Sequence, residues 1–195
     1  MAIEGSIVVN PAAAGPLVVS LPSSDLTIVG VFHNLPYLGI QLGPGKTAFL
    51  ANLGTGYKRV IPVTFKPGTN QITINCPAPG NVVFYYGTPL TAAKSLDLYA
   101  GVVVTASPAA AGSGTLTVAF PKSGKLTGFT NYVTASYVEL SWNVSTGKVL
   151  TFFDTSLERL ENDNITALNV PIVDTLLISY TAGAALTFYA IFYYV

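Results

Sequence analysis

Ile7-Val-Val-Asn-Pro11-Ala-Ala-Ala-Gly15-Pro-Leu17-Val-Val-Ser-Leu-Pro22 returns 97 residues later, as Val102-Val-Val-Thr-Ala-Ser-Pro108-Ala-Ala-Ala-Gly112-Ser-Gly-Thr-Leu116-Thr-Val-Ala-Phe-Pro121. Each copy is a β-branched run, a Pro-Ala-Ala-Ala-Gly break, and a second apolar run closed by proline. Proline has no N–H to give to a ladder, so the break separates two strands. A third match keeps the order: Val82-Val-Phe-Tyr85 corresponds to Leu186-Thr-Phe-Tyr189. Three matches in one order point to an internal duplication. The offset grows from 97 (Pro11 to Pro108) to 99 (Leu17 to Leu116) to 104 (Val82 to Leu186), so the second copy carries insertions.

Working outward, short β-branched and aromatic runs recur about every ten residues, with turn residues between them. This spacing belongs to an all-β sandwich or barrel. The first half offers strands at 6–10, 17–21, 26–34, 38–42, 47–53, 59–66, 71–76 and 81–86. The second offers 101–106, 115–120, 126–133, 137–142, 149–154, 165–170, 175–180 and 186–194. Gly43-Pro-Gly45, Lys66-Pro-Gly-Thr-Asn70 and Pro77-Ala-Pro-Gly80 are turn sequences. Only Ser156-Leu-Glu-Arg-Leu-Glu161 reads as a helix, with serine as its cap. The expected fold is all-β: two tandem antiparallel β-sandwich, jelly-roll-like halves, at 1–90 and 91–195. Thr88 to Ser95 reads as the linker, and the boundary is expected between Gly87 and Leu98.

Composition narrows the function. Half of the residues are hydrophobic and only 9% are charged, against roughly 25% in an ordinary soluble domain. Mean hydropathy is +0.53. No apolar run approaches the roughly 20 residues of a membrane-spanning helix, so no such span is expected. Nine Lys and Arg balance nine Asp and Glu. Without a basic patch there is nothing to neutralise phosphates, and nucleic-acid binding is not expected. Charge this sparse and this balanced favours association. Much of the surface is therefore expected to be covered by other copies or other chains. The start at Met1 shows no secretory signal pattern, so synthesis without export is the expectation.

The residues for catalysis are missing. Gly43-Pro-Gly45-Lys46-Thr47 is similar to the end of a phosphate loop. However, the required earlier glycine is replaced by Ile40, and a strand follows where a helix should open. His33 is the only histidine and Cys76 the only cysteine, too few for a typical zinc site or a histidine-based triad beside a serine and an acid. Asp154, Glu158, Glu161 and Asp163 cluster, but their spacing fits no calcium loop. Asn143-Val-Ser145 and Asn164-Ile-Thr166 match the glycosylation pattern and are expected to stay unused. No enzyme activity, cofactor or metal is expected.

The last strand is apolar on both faces: Leu186, Phe188, Ala190, Phe192 and Tyr194 on one, Tyr189, Ile191, Tyr193 and Val195 with Thr187 on the other. A strand of this kind is covered on both sides. Phe188, Phe192, Tyr193 and Tyr194 are the candidate interface residues, against the other half or another subunit.

Eight strands twice over, with the duplication described, resembles the jelly-roll shell proteins of icosahedral viruses, both double jelly-roll capsid proteins and tandem-jelly-roll turret or spike proteins. The resemblance spans the whole chain and rests on strand count and duplication. It implies a virion structural protein that packs against copies of itself or other capsid proteins, as a homo-oligomer. Each half is compact, which leaves an immunoglobulin-like sandwich open and sets minor capsid, cement and turret roles beside that of a major shell protein. The alternative is a carbohydrate- or receptor-binding module, which would expose aromatics at its loop ends.

Overall fold

The computed structural model describes residues 2–51, 60–89, 93–120, 124–133, 137–143, 149–155, 166–172 and 175–195, with the backbone alone between 129 and 176. The chain divides into two compact units, Met1–Ala100 and Gly101–Val195.

The first unit holds β1 (Ala2–Val9), β2 (Gly15–Ser20), β3 (Ile28–His33), β4 (Tyr37–Gly43), β5 (Lys46–Ala51), β6 (Val63–Thr64), β7 (Gln71–Cys76), β8 (Val82–Thr88) and β9 (Lys94–Ser95). One sheet runs β2-β7-β4-β5 and the other β1-β8-β3. Residues 61–65 extend the second sheet. Val31 and Ile61 exchange N–H···O bonds of 3.0 and 2.7 Å, and Ile28 and Phe65 exchange bonds of 2.9 and 3.1 Å. Pro62 lacks an N–H, which keeps this stretch short of a full ladder.

The second unit repeats the plan with β10 (Gly101–Ala106), β11 (Gly112–Ala119), β12 (Gly124–Val133), β13 (Tyr137–Asn143), β14 (Val149–Thr155), β15 (Thr166–Ile172), β16 (Thr175–Ala182) and β17 (Phe188–Tyr194). Its sheets run β10-β17-β12-β15 and β11-β16-β13-β14. Numbered in chain order within each unit, both give 2-7-4-5; the second gives 1-8-3-6, and the first gives 1-8-3 with the residues flanking its sixth strand bridged to the third. This is the strand order of a jelly roll, two Greek keys wound into two sheets. It separates the chain from the immunoglobulin-like order, which sequence left open.

Local details repeat as well. Gly15 and Gly112 open the second strand of each unit with φ of +128° and +157°, values that a side chain disfavours. The Pro11 carbonyl accepts from Gly80 N–H at 3.0 Å, and the Pro108 carbonyl accepts from Leu186 N–H at 3.3 Å. Each third strand is bulged, between Ile28 and Gly30 and between Leu126 and Gly128.

The cores follow from period-two alternation. In the first unit Val19 faces Ile72, Ile40 faces Ile74, Leu38 faces Leu50 and Val31 faces Phe84, and all are buried. In the second, Val118, Leu126, Ile178, Phe188 and Phe192 form one cluster drawn from both sheets. Burying each such side chain is worth roughly 1.5–3 kcal/mol.

The first unit ends later than the expected boundary at 90. Lys94 and Ser95 pair in parallel with Val63 and Thr64. A 3₁₀ turn, Leu96–Tyr99, buries Leu96 and Tyr99, and Ala100 bridges Ala48. The expected helix at 156–161 lies outside the described residues.

A β-carbon on Gly30 would sit 2.6 Å from Val60 Cγ1, whereas one on Gly43 would meet nothing within 4 Å. Gly30→Ala is expected to lose about 1–3 kcal/mol of stability and Gly43→Ala less than about 0.5, read from urea midpoints.

Candidate functional site

The aromatic residues singled out in the last strand are not on offer to a partner. Phe188, Phe192 and Tyr193 are at most 1% exposed and Tyr194 is 6% exposed, all within this chain alone. The reason is topological: β17 lies between β10 and β12 in its sheet. Phe188, Phe192 and Tyr194 join the core cluster. Tyr180 packs edge-on to Phe188 at 5.3 Å, and Phe120 does so to Tyr194 at 5.8 Å. These rings are structural. Buried within the chain, they leave no exposed ring of the last strand for another subunit.

The exposed apolar surface lies elsewhere. Ile3, Val8, Leu17 and Val18 are four of the seven exposed large apolar side chains among the described residues, and all four sit on β1 and β2. These are edge strands, each paired on one side only. Ala12, Ala13 and Ala14 between them are also exposed. No charged residue occurs between Glu4 and Asp25, nor between Asp97 and Lys122 across the matching strands of the second unit. Natural edge strands are usually guarded by lysine, inward charge or cover. Here Glu4 is the one charge on β1 and β2.

A second feature opens in the first unit. A cavity of about 480 Å³ is lined by Gln41, Leu42 and Gly43 from β4, by Gln71, Ile72 and Thr73 from β7, and by Phe65–Pro67 and Ser95–Asp97. At its mouth Lys46 Nζ reaches Asp97 Oδ1 at 3.2 Å, with the side chains 48% and 68% exposed. An ion pair in that much water adds less than about 1 kcal/mol. It ties the β4–β5 turn to the 3₁₀ turn. That turn has Pro44 followed by Gly45 at φ +68°, the chemistry of a tight β-turn rather than of a phosphate loop.

The single titratable residues behave as core. His33 is 4% exposed and neither ring nitrogen has a hydrogen-bond partner. Loss of water around the ring lowers its pKa from 6.5 to about 4, and the nearby backbone of Leu35 and Leu50 offsets part of this. Beside it, Asn34 Oδ1 accepts from Asn81 N–H at 2.7 Å and the Asn34 N–H donates back to the Asn81 carbonyl at 3.2 Å. Cys76 is a buried free thiol, and burial pushes its pKa up, away from nucleophilic use. Among the described residues no group of His, Cys, Asp and Glu is placed to hold a metal, and no helix is long and apolar enough to cross a membrane. The acidic cluster beyond Asp154 and the second glycosylation pattern lie outside the described residues.

No protein-family model matches the chain, and no curated protein matches it. Among solved structures, a turret protein in Sulfolobus turreted icosahedral virus aligns over 98% of both chains, at 12% identity and a TM-score of 0.27. An oxalate decarboxylase of Bacillus subtilis aligns over 96% of this chain and 72% of its own, at 12% identity and a TM-score of 0.28. With scores this low, the fold rests on the strand order itself. By that order the chain is a tandem of two jelly-roll sandwiches.

His33 sets an acid limit. Above about pH 6.5 the imidazole is neutral in both folded and unfolded chains. Below it the unfolded chain takes up a proton that the folded one refuses, until pH falls through about 4. The resulting loss approaches roughly 3 kcal/mol, at about 1.4 kcal/mol per pKa unit. Urea midpoints between pH 7 and pH 4 are expected to fall steeply in the wild type and much less in His33→Leu.

Proposed function

We propose that this protein is a non-enzymatic virion structural component, of capsid, minor capsid or turret type, which works by packing against copies of itself or other shell proteins. The jelly roll carries viral capsid domains and lectin domains alike, so surface chemistry has to choose between them. The observation that carries the choice is the pair of apolar edge strands β1 and β2, whose one charge is Glu4, with Val8 63% and Val18 55% exposed. Exposed apolar surface on an unguarded edge is what a second sheet or sandwich covers. A carbohydrate platform calls for exposed rings. Among the described residues, every aromatic side chain is buried or half-buried.

Assembly of this kind buries apolar area and is expected to resist salt, because screening acts on charges. Light scattering of the purified protein is expected to give a defined oligomer or particle whose mass is unchanged between low and high salt. The pair Val8→Lys and Val18→Lys is expected to shift that mass to the monomer, with little change in thermal stability. A wild-type monomer at high concentration would overturn the reading.

A further inference from the structure

The row Val9–Val82–His33 closes one end of the sheet β1-β8-β3. Three bonds lie just beyond it. The Asn34 N–H donates to the Asn81 carbonyl at 3.2 Å, the Asn81 N–H donates to Asn34 Oδ1 at 2.7 Å, and the Gly80 N–H donates to the Pro11 carbonyl at 3.0 Å. They join three connections: the one after β3, the one before β8, and the Pro11 corner between β1 and β2. Packing is close there, since a β-carbon on Gly80 would overlap the side chains of Asn34 and Leu35. Asn34 and Asn81 are exposed, whereas His33, one step inward, is 4% exposed and Leu35 is 1% exposed. The imidazole therefore reaches water when this joint alone parts, with both sheets intact.

The second unit builds the same end without a histidine. Its closing row is Ala106–Phe188–Val133, and the Leu186 N–H donates to the Pro108 carbonyl at 3.3 Å. The register puts Val133 where His33 stands. Around His33 the titratable side chains are Glu4 on β1, Lys46 on β5, Lys66 after β6, Cys76 at the end of β7, and Tyr85 and Tyr86 on β8. Among the described residues no charged side chain acts on the ring, which answers to lost water and to the backbone of Leu35 and Leu50. Lys58 and Arg59 lie outside the described residues, and both keep their charge between pH 5 and pH 7, so they add no titration there. Neither ring nitrogen has a hydrogen-bond partner, and a charge placed on so buried a ring without one is costly.

We propose that His33 is an acid-released pin: on taking up a proton it turns out to water, the Asn34–Asn81 and Gly80–Pro11 bonds part, and the β1–β2 corner of the first unit is freed while that of the second stays shut. The closed joint binds the proton more weakly than the open one, so acid favours the open form. With a ring pKa of about 4 when closed and 6.5 in water, the opening constant rises about twentyfold between pH 7 and pH 5. Opening a few residues at a strand end costs far less than unfolding a sandwich, so the effect shows first at this joint. The freed corner carries the exposed Ala12, Ala13 and Ala14. The device belongs to the chain itself and stands whether or not β1 and β2 bind other copies.

The test uses the full chain. Hydrogen exchange followed by mass spectrometry reads the segments 78–84 and 184–190 at pH 7 and pH 5, with labelling times scaled to the intrinsic exchange rates. In the wild type the opening of 78–84 is expected to rise about twentyfold, and that of 184–190 by less than about twofold. His33→Leu and His33→Gln take up no proton in this range, and each is expected to hold 78–84 within about twofold between the two pH values. If neither variant folds, the wild-type contrast between the two units decides alone. No rise in 78–84, an equal rise in both segments, or a rise that survives in His33→Leu would each overturn the proposal. Light scattering tells separately whether the chain assembles, so the two readings fail independently.

Discussion

Both sandwiches depend on one pairing, that of the eighth strand between the first and the third. In the first unit Val83 on β8 stands opposite Val8 on β1 and Phe32 on β3. In the second, Ile191 on β17 stands opposite Val103 on β10 and Thr130 on β12. Until that strand arrives, the first and third strands have no neighbour in common and the sheet does not exist. The ladder must close loops of some eighty residues before any burial repays the lost chain entropy. Folding dominated by such distant contacts is slow, and it explains why the eighth strands carry the heaviest aromatic load. Phe84, Phe188 and Phe192 are all fully buried, so the last strand to arrive brings the largest gain.

The same arrangement leaves the first and second strands of each unit at the sheet margins. In most soluble proteins charge would defend them. This chain has little charge to spend, and none along β1 and β2 beyond Glu4. Scarcity of charge and exposure of edge therefore coincide: the margins of the first unit present apolar side chains with little charge beside them. The core elsewhere is ordinary, with a neutral buried imidazole and a buried thiol standing in for hydrophobic residues.

Much of the fold was legible in the sequence because period-two alternation and proline–glycine punctuation are local signals. All sixteen expected strands have counterparts, and the repeated Pro-Ala-Ala-Ala-Gly marks the same corner in both units. Strand order was not legible, since it depends on which distant strands pair. The end of the expected linker, Lys94 and Ser95, belongs to the first unit because it pairs with Val63 and Thr64, far away in sequence. The candidate site fared worst. A strand apolar on both faces announces that it is covered, and nothing in its residues says by what. Phe188, Phe192, Tyr193 and Tyr194 turned out to be covered within the chain. The edge surface had a signal, the charge-free run from Gly5 to Ser24, which was read as composition and not as a place.

The repeated bulge offers a chronology. Gly30 and Gly128 stand at the same corner of the same strand in both units, so the kink existed before one sandwich became two. The buried histidine at the end of β3 has no twin, since Val133 holds the matching place on β12. It arose, or was lost, after the copies parted. Shared features of the tandem thus record the ancestor, and unshared ones record what each half was later freed to do while its sister kept the framework.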